Sequence, residues 1–149
     1  MSDDLFNIIY NKSLDLLSRR EHSFKEIKEK LSARFENKEI IESVVEKLHD
    51  NNLVNNMRYA EAYVSARKRK GFGPKKIAFE LSSKGVDESV TNSVIIEEGD
   101  WESAAKLAFS KKFKDGPSPD TNEKLKQKSF LLNRGFRFKE IESVFGNDM

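Results

Sequence analysis

The sequence predicts an all-α protein built of three tandem three-helix repeats that form an elongated, curved molecule. Three observations carry that expectation. Strand signals are weak: Thr occurs twice in 149 residues, and no segment alternates apolar and polar residues for long. Helix-capping residues stand ahead of apolar positions at helical spacing along the chain. The resulting helices fall into triplets with a period of roughly 45–50 residues, the mark of stacked helical repeats.

The elements follow in order. Ser23-Phe-Lys-Glu26 is a capping-box sequence, in which the Ser hydroxyl accepts from an early backbone N–H and Glu26 reaches back. Ile27, Leu31 and Phe35 follow at helical spacing. Asn37 caps the next helix, with Ile40, Ile41, Val44, Val45 and Leu48 on one face. Asn51-Asn52 breaks the pattern. Asn55 or Asn56 starts a helix carrying Tyr59, Ala62, Tyr63 and Ala66. It ends in Arg67-Lys-Arg-Lys70, and cations suit a helix C-terminus. After Gly71-Phe-Gly73, Pro74 stands at a first helical position, where its missing N–H costs nothing. Ile77 and Leu81 continue this helix and Gly85 closes it. Asp87 caps a short helix with Val90, Val94 and Ile95, stopped by Gly99.

Trp101, Ala104, Ala105, Ala108 and Phe109 form the next helical face. Asp115-Gly-Pro-Ser-Pro119 is the one linker-like stretch. Asp120 and Glu123 start a helix with Leu125, Leu131 and Leu132, ending at Gly135. Phe138, Ile141, Val144 and Phe145 mark a last helix before Gly146. With the segment ahead of Ser23, nine helices result. Leu31, Leu81 and Leu131 stand about four residues before the corresponding turns Ala33-Arg34-Phe35, Lys84-Gly85-Val86 and Arg134-Gly135-Phe136. The repeats are expected at residues 1–52, 53–99 and 100–149.

Composition narrows the chemistry. Charged residues make up 35% of the chain and hydrophobic ones 37%, so a core is affordable only beneath a highly charged surface. Without Cys there are no disulfides, thiolate metal sites or cysteine nucleophiles, which fits a reducing cytoplasm. His22 and His49 share no metal-ligand spacing; His22 reads as a turn residue and His49 as a helix-end cation or cap. No apolar run spans a membrane, and the acidic start Met1-Ser-Asp-Asp leads into no signal-peptide core. A cytoplasmic monomer without cofactor or metal is expected. No Ser/His/Asp set or carboxylate pair stands out as catalytic.

The net charge of +2 hides a gradient, from −2 in residues 1–50 through +1 in 51–100 to +3 in 101–149. Two windows hold cations and no acid. Arg67, Lys68, Arg69, Lys70, Lys75 and Lys76 lie between Glu61 and Glu80. Lys124, Lys126, Lys128, Arg134, Arg137 and Lys139 lie between Glu123 and Glu140. Such sorting suits the approach of a polyanion. Phe72, Phe136 and Phe138 sit among these cations; exposed, they would stack on bases, although core packing is the simpler reading. If the first window is a solvated binding surface, neutralising Arg67, Arg69, Lys75 and Lys76 together should leave folding intact. Gly71-Phe-Gly-Pro-Lys-Lys76 lacks the spacing of a phosphate loop and no strand precedes it, so it reads as a helix junction.

Taken in order, certain residues resemble the RecX family, bacterial regulators of the RecA recombinase. They are Arg20-Glu-His-Ser23 with Glu26-Ile27 and Leu31; Leu48 through Asn52-Leu-Val-Asn-Asn-Met-Arg-Tyr-Ala60; Tyr63 and Arg67; Gly73, Ile77, Glu80-Leu81 and Lys84-Gly85-Val86; and Phe130-Leu131 with Arg134-Gly-Phe136. The match runs from about residue 12 to 146. The resemblance implies three tandem three-helix repeats and a non-enzymatic role in recombination, DNA repair and the SOS response. In that role the protein binds in the groove of the RecA–single-stranded DNA filament and inhibits its growth and activity. Its partners would be the filament, single-stranded DNA and, as an alternative, duplex DNA, with no membrane. Arg58 and Lys84, within the matching segments, join the two windows as candidate binding residues. One departure is the pair Asn55 and Asn56, where the family usually has two Asp; Asn caps a helix about as well, without the charge. The alternative reading is a direct DNA-binding protein of helix-turn-helix type, which short helix triplets imitate, although no helix clusters Arg, Asn and Gln as a base reader does. A pure protein-binding solenoid is a third.

Overall fold

A computed structural model describes residues 2–146. Among them are nine helices and no strand: α1 (Ser2–Arg19), α2 (Phe24–Arg34), α3 (Lys38–Asp50), α4 (Asn56–Arg69), α5 (Pro74–Ser83), α6 (Glu88–Glu98), α7 (Trp101–Lys112), α8 (Thr121–Asn133) and α9 (Phe138–Val144). The fold is thus all-α, in sets of three helices, as the sequence predicts.

The helix starts are set by short side chains. Ser23 Oγ accepts the Glu26 N–H at 3.1 Å while Glu26 Oε1 accepts the Ser23 N–H at 3.2 Å, which completes the capping box. Asn37 Oδ1 accepts from Ile40 N–H and Asp120 Oδ2 from Glu123 N–H. At α4, Asn55 is the cap: its Oδ1 accepts the Arg58 N–H at 2.9 Å, and its Nδ2 donates to Asn52 Oδ1. Asn56 Oδ1 instead accepts the first N–H of α2, that of Phe24, at 3.0 Å. Capping therefore survives the Asn pair, and the Asn55 amide uses a donor that an aspartate lacks.

The repeat register is 50 residues. Leu31, Leu81 and Leu131 are each fully buried, and Ile41, Thr91 and Ile141 are buried at equivalent positions. Ile27 and Ile77 are buried too, but their counterpart is Gln127. The Gln127 amide donates to Gly116 O at 3.2 Å and accepts the Ser118 N–H at 3.0 Å. The 115–119 stretch, which reads as a linker in sequence, is thereby pinned to α8.

The chain divides into two compact units. The first comprises the described residues up to Ala62 together with Leu81–Thr91. Its core joins Ile9 of α1, Ile27 and Leu31 of α2, and Ile41, Val44, Val45 and Leu48 of α3 with Val54. In it the turn after α5 meets the start of α2: Lys25 Nζ donates to Ser83 O at 3.0 Å, and a Cβ on Gly85 would lie 2.9 Å from that of Lys25. His22 is buried rather than a plain turn residue. Its Nδ1 lies 3.1 Å from Arg20 O and its Nε2 2.7 Å from Lys30 Nζ. An ammonium has only donors, so Nε2 accepts and Nδ1 carries the proton. Burial holds the imidazole below its ordinary pKa.

The second unit comprises Tyr63–Glu80 and the described residues from Asn92. Trp101, Ala104, Ala105, Ala108 and Phe109 of α7 are buried, as are Leu131, Phe136 and Ile141. Trp101 Nε1 donates to Ile95 O at 2.9 Å across the left-handed Gly99–Asp100 turn. Here the turn after α8 docks on the start of α5 through two backbone hydrogen bonds. Gly73 N–H donates to Arg134 O at 2.7 Å and Lys75 N–H to Gly135 O at 2.9 Å. A Cβ on Gly73 would stand 2.5 Å from the Gly135 carbonyl carbon, and one on Gly135 would collide with the Lys76 backbone. That contact explains the glycines of the Gly71–Lys76 segment, a helix junction as its sequence suggests.

Candidate functional site

In the second unit, the first basic window spans the end of α4, the turn behind it and the start of α5. Its members differ in what holds them. The Arg67 guanidinium grips Glu80 with two hydrogen bonds, at 2.9 and 2.8 Å, and lies 3.9 Å over the Phe72 ring. Tyr63 OH donates to the same carboxylate at 2.9 Å. Burial opposes ionisation of Glu80, but the Arg67 and Tyr63 hydrogen bonds outweigh it and hold the carboxyl below its ordinary pKa. Lys68 Nζ donates to Glu98 at 3.2 Å and to Gly99 O at 2.8 Å. These acids come from outside the window in sequence and are brought in by the fold.

Arg67 is therefore part of the frame. The expectation that neutralising Arg67, Arg69, Lys75 and Lys76 together leaves folding intact is corrected: a two-pronged, half-buried guanidinium stacked on an aromatic ring is no solvated cation. Arg69 donates to Ser65 Oγ at 2.9 Å, and Lys76 lies 5.7 Å over Phe72. Among the described residues, Arg69, Lys70, Lys75 and Lys76 make no ion pair with a carboxylate.

The second window divides in the same way. Lys128 pairs with Glu142 at 3.2 Å and lies over Phe145. Arg137 Nε donates at 2.6 Å to Glu140, a buried carboxylate that also accepts the Arg137 N–H. Arg134 donates to Lys70 O at 3.3 Å and lies 4.9 Å over both Phe72 and Phe130. Lys126 and Lys139 make long, exposed pairs with Glu123 and Glu102, at 3.8 and 3.9 Å. Lys124 makes no carboxylate pair among the described residues. Of the three Phe, Phe136 is core and Phe72 is half-buried between Arg67 and Arg134, but Phe138 is 77% exposed. Phe79, not singled out in the sequence, is equally exposed.

Arg58 and Lys84 belong to the first unit. Arg58 Nε donates to Glu21 at 2.7 Å, and its outer nitrogen donates to Asn52 O and Leu53 O. That side chain ties α4 to the turn before it. Lys84 lies 3.6 Å from Glu26.

Sequence reasoning missed Lys111 and Lys112 at the end of α7. In the second unit they line a pocket of about 210 Å³ with Lys68, Arg69, Lys70 and Arg134, over Ala104, Leu107, Ala108 and Phe130. No carboxylate lines it. The available signal was a third, shorter acid-free stretch between Glu102 and Asp115. Among the described residues no cluster of His, Asp and Glu suits a metal ion, and no helix is long and apolar enough to cross a membrane.

Family models match two parts of the chain. The model of the RecX first three-helix domain matches residues 10–48, which hold the Ser23 capping box, and that of the RecX second three-helix domain matches residues 55–95, from the Asn55 cap to Ile95. The chain belongs to the RecX family. Among curated proteins, the regulatory protein RecX of Serratia proteamaculans is 33% identical, with 93% of this chain and 96% of that protein covered. Regulatory protein RecX of Pseudomonas fluorescens is 34% identical, covering 98% and 96%. The crystal structure of RecX from Lactobacillus salivarius superposes with a TM-score of 0.80 at 26% identity, covering 98% and 97% of the two chains. A second RecX crystal structure, at 22% identity and the same TM-score, shares the fold.

Proposed function

We propose that this RecX-family chain is a non-enzymatic regulator of the RecA recombinase that binds the RecA–single-stranded DNA filament and limits its growth and activity. In this reading it acts in the bacterial cytoplasm, as a monomer, in recombinational repair and the SOS response. The observation that carries the reading is near-full-length similarity, at 33–34% identity, to proteins named for regulation. The charge gradient and the unpaired cations of α4–α5 support it, because a nucleoprotein filament presents phosphate.

The mechanism follows from sign and repetition. Repeats at 1–52, 53–99 and 100–149 would lie along neighbouring filament subunits. A bridged subunit cannot easily change its spacing during nucleotide turnover, and an occupied filament end cannot add another subunit. Arg69, Lys70, Lys75 and Lys76 would meet the filament at the centre, and Lys124, Lys126 and Lys139 toward the C-terminus. Arg58, Arg67, Lys68, Lys84, Lys128 and Arg137 would act chiefly by holding the surface in shape. The deciding experiment is co-sedimentation with RecA filaments, set against bare single-stranded and duplex DNA. The chain is expected to pellet with filaments and to inhibit RecA below stoichiometric amounts. Sequence-specific duplex binding, roughly 10³-fold or more above random DNA, with RecA activity unchanged, would establish the transcription-factor-like alternative instead.

A further inference from the structure

The pocket between the ends of α4, α7 and α8 has a chemistry beyond general basicity. Two cationic rows border it: Lys68–Lys70 closing α4, and Lys111–Lys112 closing α7. Arg134, the C-cap of α8, lies among them, already turned toward Phe130. The floor is apolar, and no carboxylate lines the wall. Like charges gathered this closely repel one another unless an anion enters. Lys68 is the committed member, held by Glu98. Arg69, Lys70, Lys111 and Lys112 are exposed and make no ion pair among the described residues.

Size narrows the occupant. At about 210 Å³ the cavity is smaller than the roughly 300–1,000 Å³ of pockets that engulf a whole organic ligand. It suits one charged group of a longer molecule. One acidic side chain would neutralise one row and leave the other. A chain that carries an anion at every unit satisfies both, and the Leu107–Phe130 floor offers its sugar or base an apolar face.

We propose that this pocket seats a backbone phosphate of single-stranded nucleic acid, with Arg69, Lys70, Lys111 and Lys112 as its ligands. The inference deepens the filament reading and rests on it for the source of the phosphate. A free polyphosphate shares the same chemistry, so the test separates the two.

The test uses the full chain and a fluorescent oligo(dT), with anisotropy read across a salt series. The pocket variant carries Lys70→Gln, Lys111→Gln and Lys112→Gln. A control of equal charge change carries Arg34→Gln, Lys38→Gln and Lys47→Gln, all exposed residues of α2 and α3. The pocket variant should keep the wild-type melting temperature and lose at least tenfold in affinity. Its log–log salt slope should shrink by about 0.7, the contribution of one single-strand phosphate contact. The control should lose less than threefold. Equal losses in the two variants would overturn the proposal, as would unchanged binding by the pocket variant. Displacement of the oligonucleotide by tripolyphosphate at matched phosphate would reassign the source and overturn the nucleic-acid assignment. Equal displacement by a poly-glutamate peptide would point to an acidic protein partner and overturn it as well. Co-sedimentation of the wild-type chain with filaments judges the regulator reading separately, so the two failures are distinguishable.

Discussion

Gly73→Ala isolates the docking of one repeat turn on the next. Gly73 keeps φ outside the left-handed region, so alanine meets no intrinsic backbone strain there. Its only intrinsic effect is to stiffen the unfolded chain, which would stabilise the protein by about 0.4–1 kcal/mol. The contact predicts the opposite sign. The new methyl would stand 2.5 Å from the Gly135 carbonyl carbon and from Phe136 N, and 2.6 Å from Gly135 O. All three are backbone atoms, which cannot rotate away as a side-chain tip does. Relief requires the two turns to part, and parting strains the hydrogen bonds Gly73 N–H to Arg134 O and Lys75 N–H to Gly135 O. Overpacking costs about 1–3 kcal/mol, and each weakened hydrogen bond about 0.5–1.5 kcal/mol. A net loss of about 2–4 kcal/mol follows, or roughly 5–15 °C in melting temperature for a chain this size. Urea and thermal unfolding measure it. Gly116→Ala is the companion: its φ is +79° and nothing lies near the new Cβ, so only backbone strain of about 1 kcal/mol applies. A Gly73→Ala variant as stable as the parent, or more so, would refute the argument.

Four further outcomes are expected. Ser23→Ala removes one hydroxyl from the α2 capping box and should cost about 0.5–2 kcal/mol in denaturant titration; no measurable loss would contradict the cap. Thr91 Oγ1 is buried without a hydrogen-bond partner where the sibling repeats carry Ile41 and Ile141; Thr91→Val should therefore be neutral or stabilising, by up to about 1 kcal/mol, and a clear loss would show that the hydroxyl has a partner. Because burial lowers the His22 pKa in the folded chain, the unfolded chain takes up the proton first, so stability is present above the ordinary imidazole pKa of 6.5 and declines as the pH falls below it; His22→Gln should flatten that decline, and an unchanged pH slope would count against it. Arg67→Gln removes two charge-assisted hydrogen bonds from the half-buried Glu80 and should lower stability by at least about 1 kcal/mol, whereas Lys75→Gln should change it by less than about 0.5 kcal/mol; equal effects would deny Arg67 its place in the frame.

Much of the fold is legible along the chain because its determinants are local. Ser23, Asn37 and Asp120 cap the helices their positions announce, and the leucines at 31, 81 and 131 mark the register that burial confirms. The role of Gln127 is not legible, since its partners at Gly116 and Ser118 lie in a loop that looks like a tether. The candidate site is only partly legible. Acid-free windows in sequence do not remain acid-free in space: Glu80 reaches Arg67, Glu98 reaches Lys68 and Glu142 reaches Lys128. Conversely, Lys111 and Lys112 sit in a short stretch ended by Asp115, and only the fold brings them beside Lys70 and Arg134. Charge counted along a chain misplaces such pairs because salt bridges between elements ignore sequence distance.

The glycine turns also give the junctions between repeats a direction. Gly85 presses on Lys25 and Gly135 on Lys76, so each later repeat leans its turn on the opening helix residues of the one before it. Fifty residues earlier the same turn position is Phe35, the C-cap of α2, whose side chain packs on the core of the first unit instead. The two seats differ by one residue, since Lys76 stands one place beyond the counterpart of Lys25. Each of these two turns therefore tolerates no side chain at its glycine, and the two junctions would open by the same route.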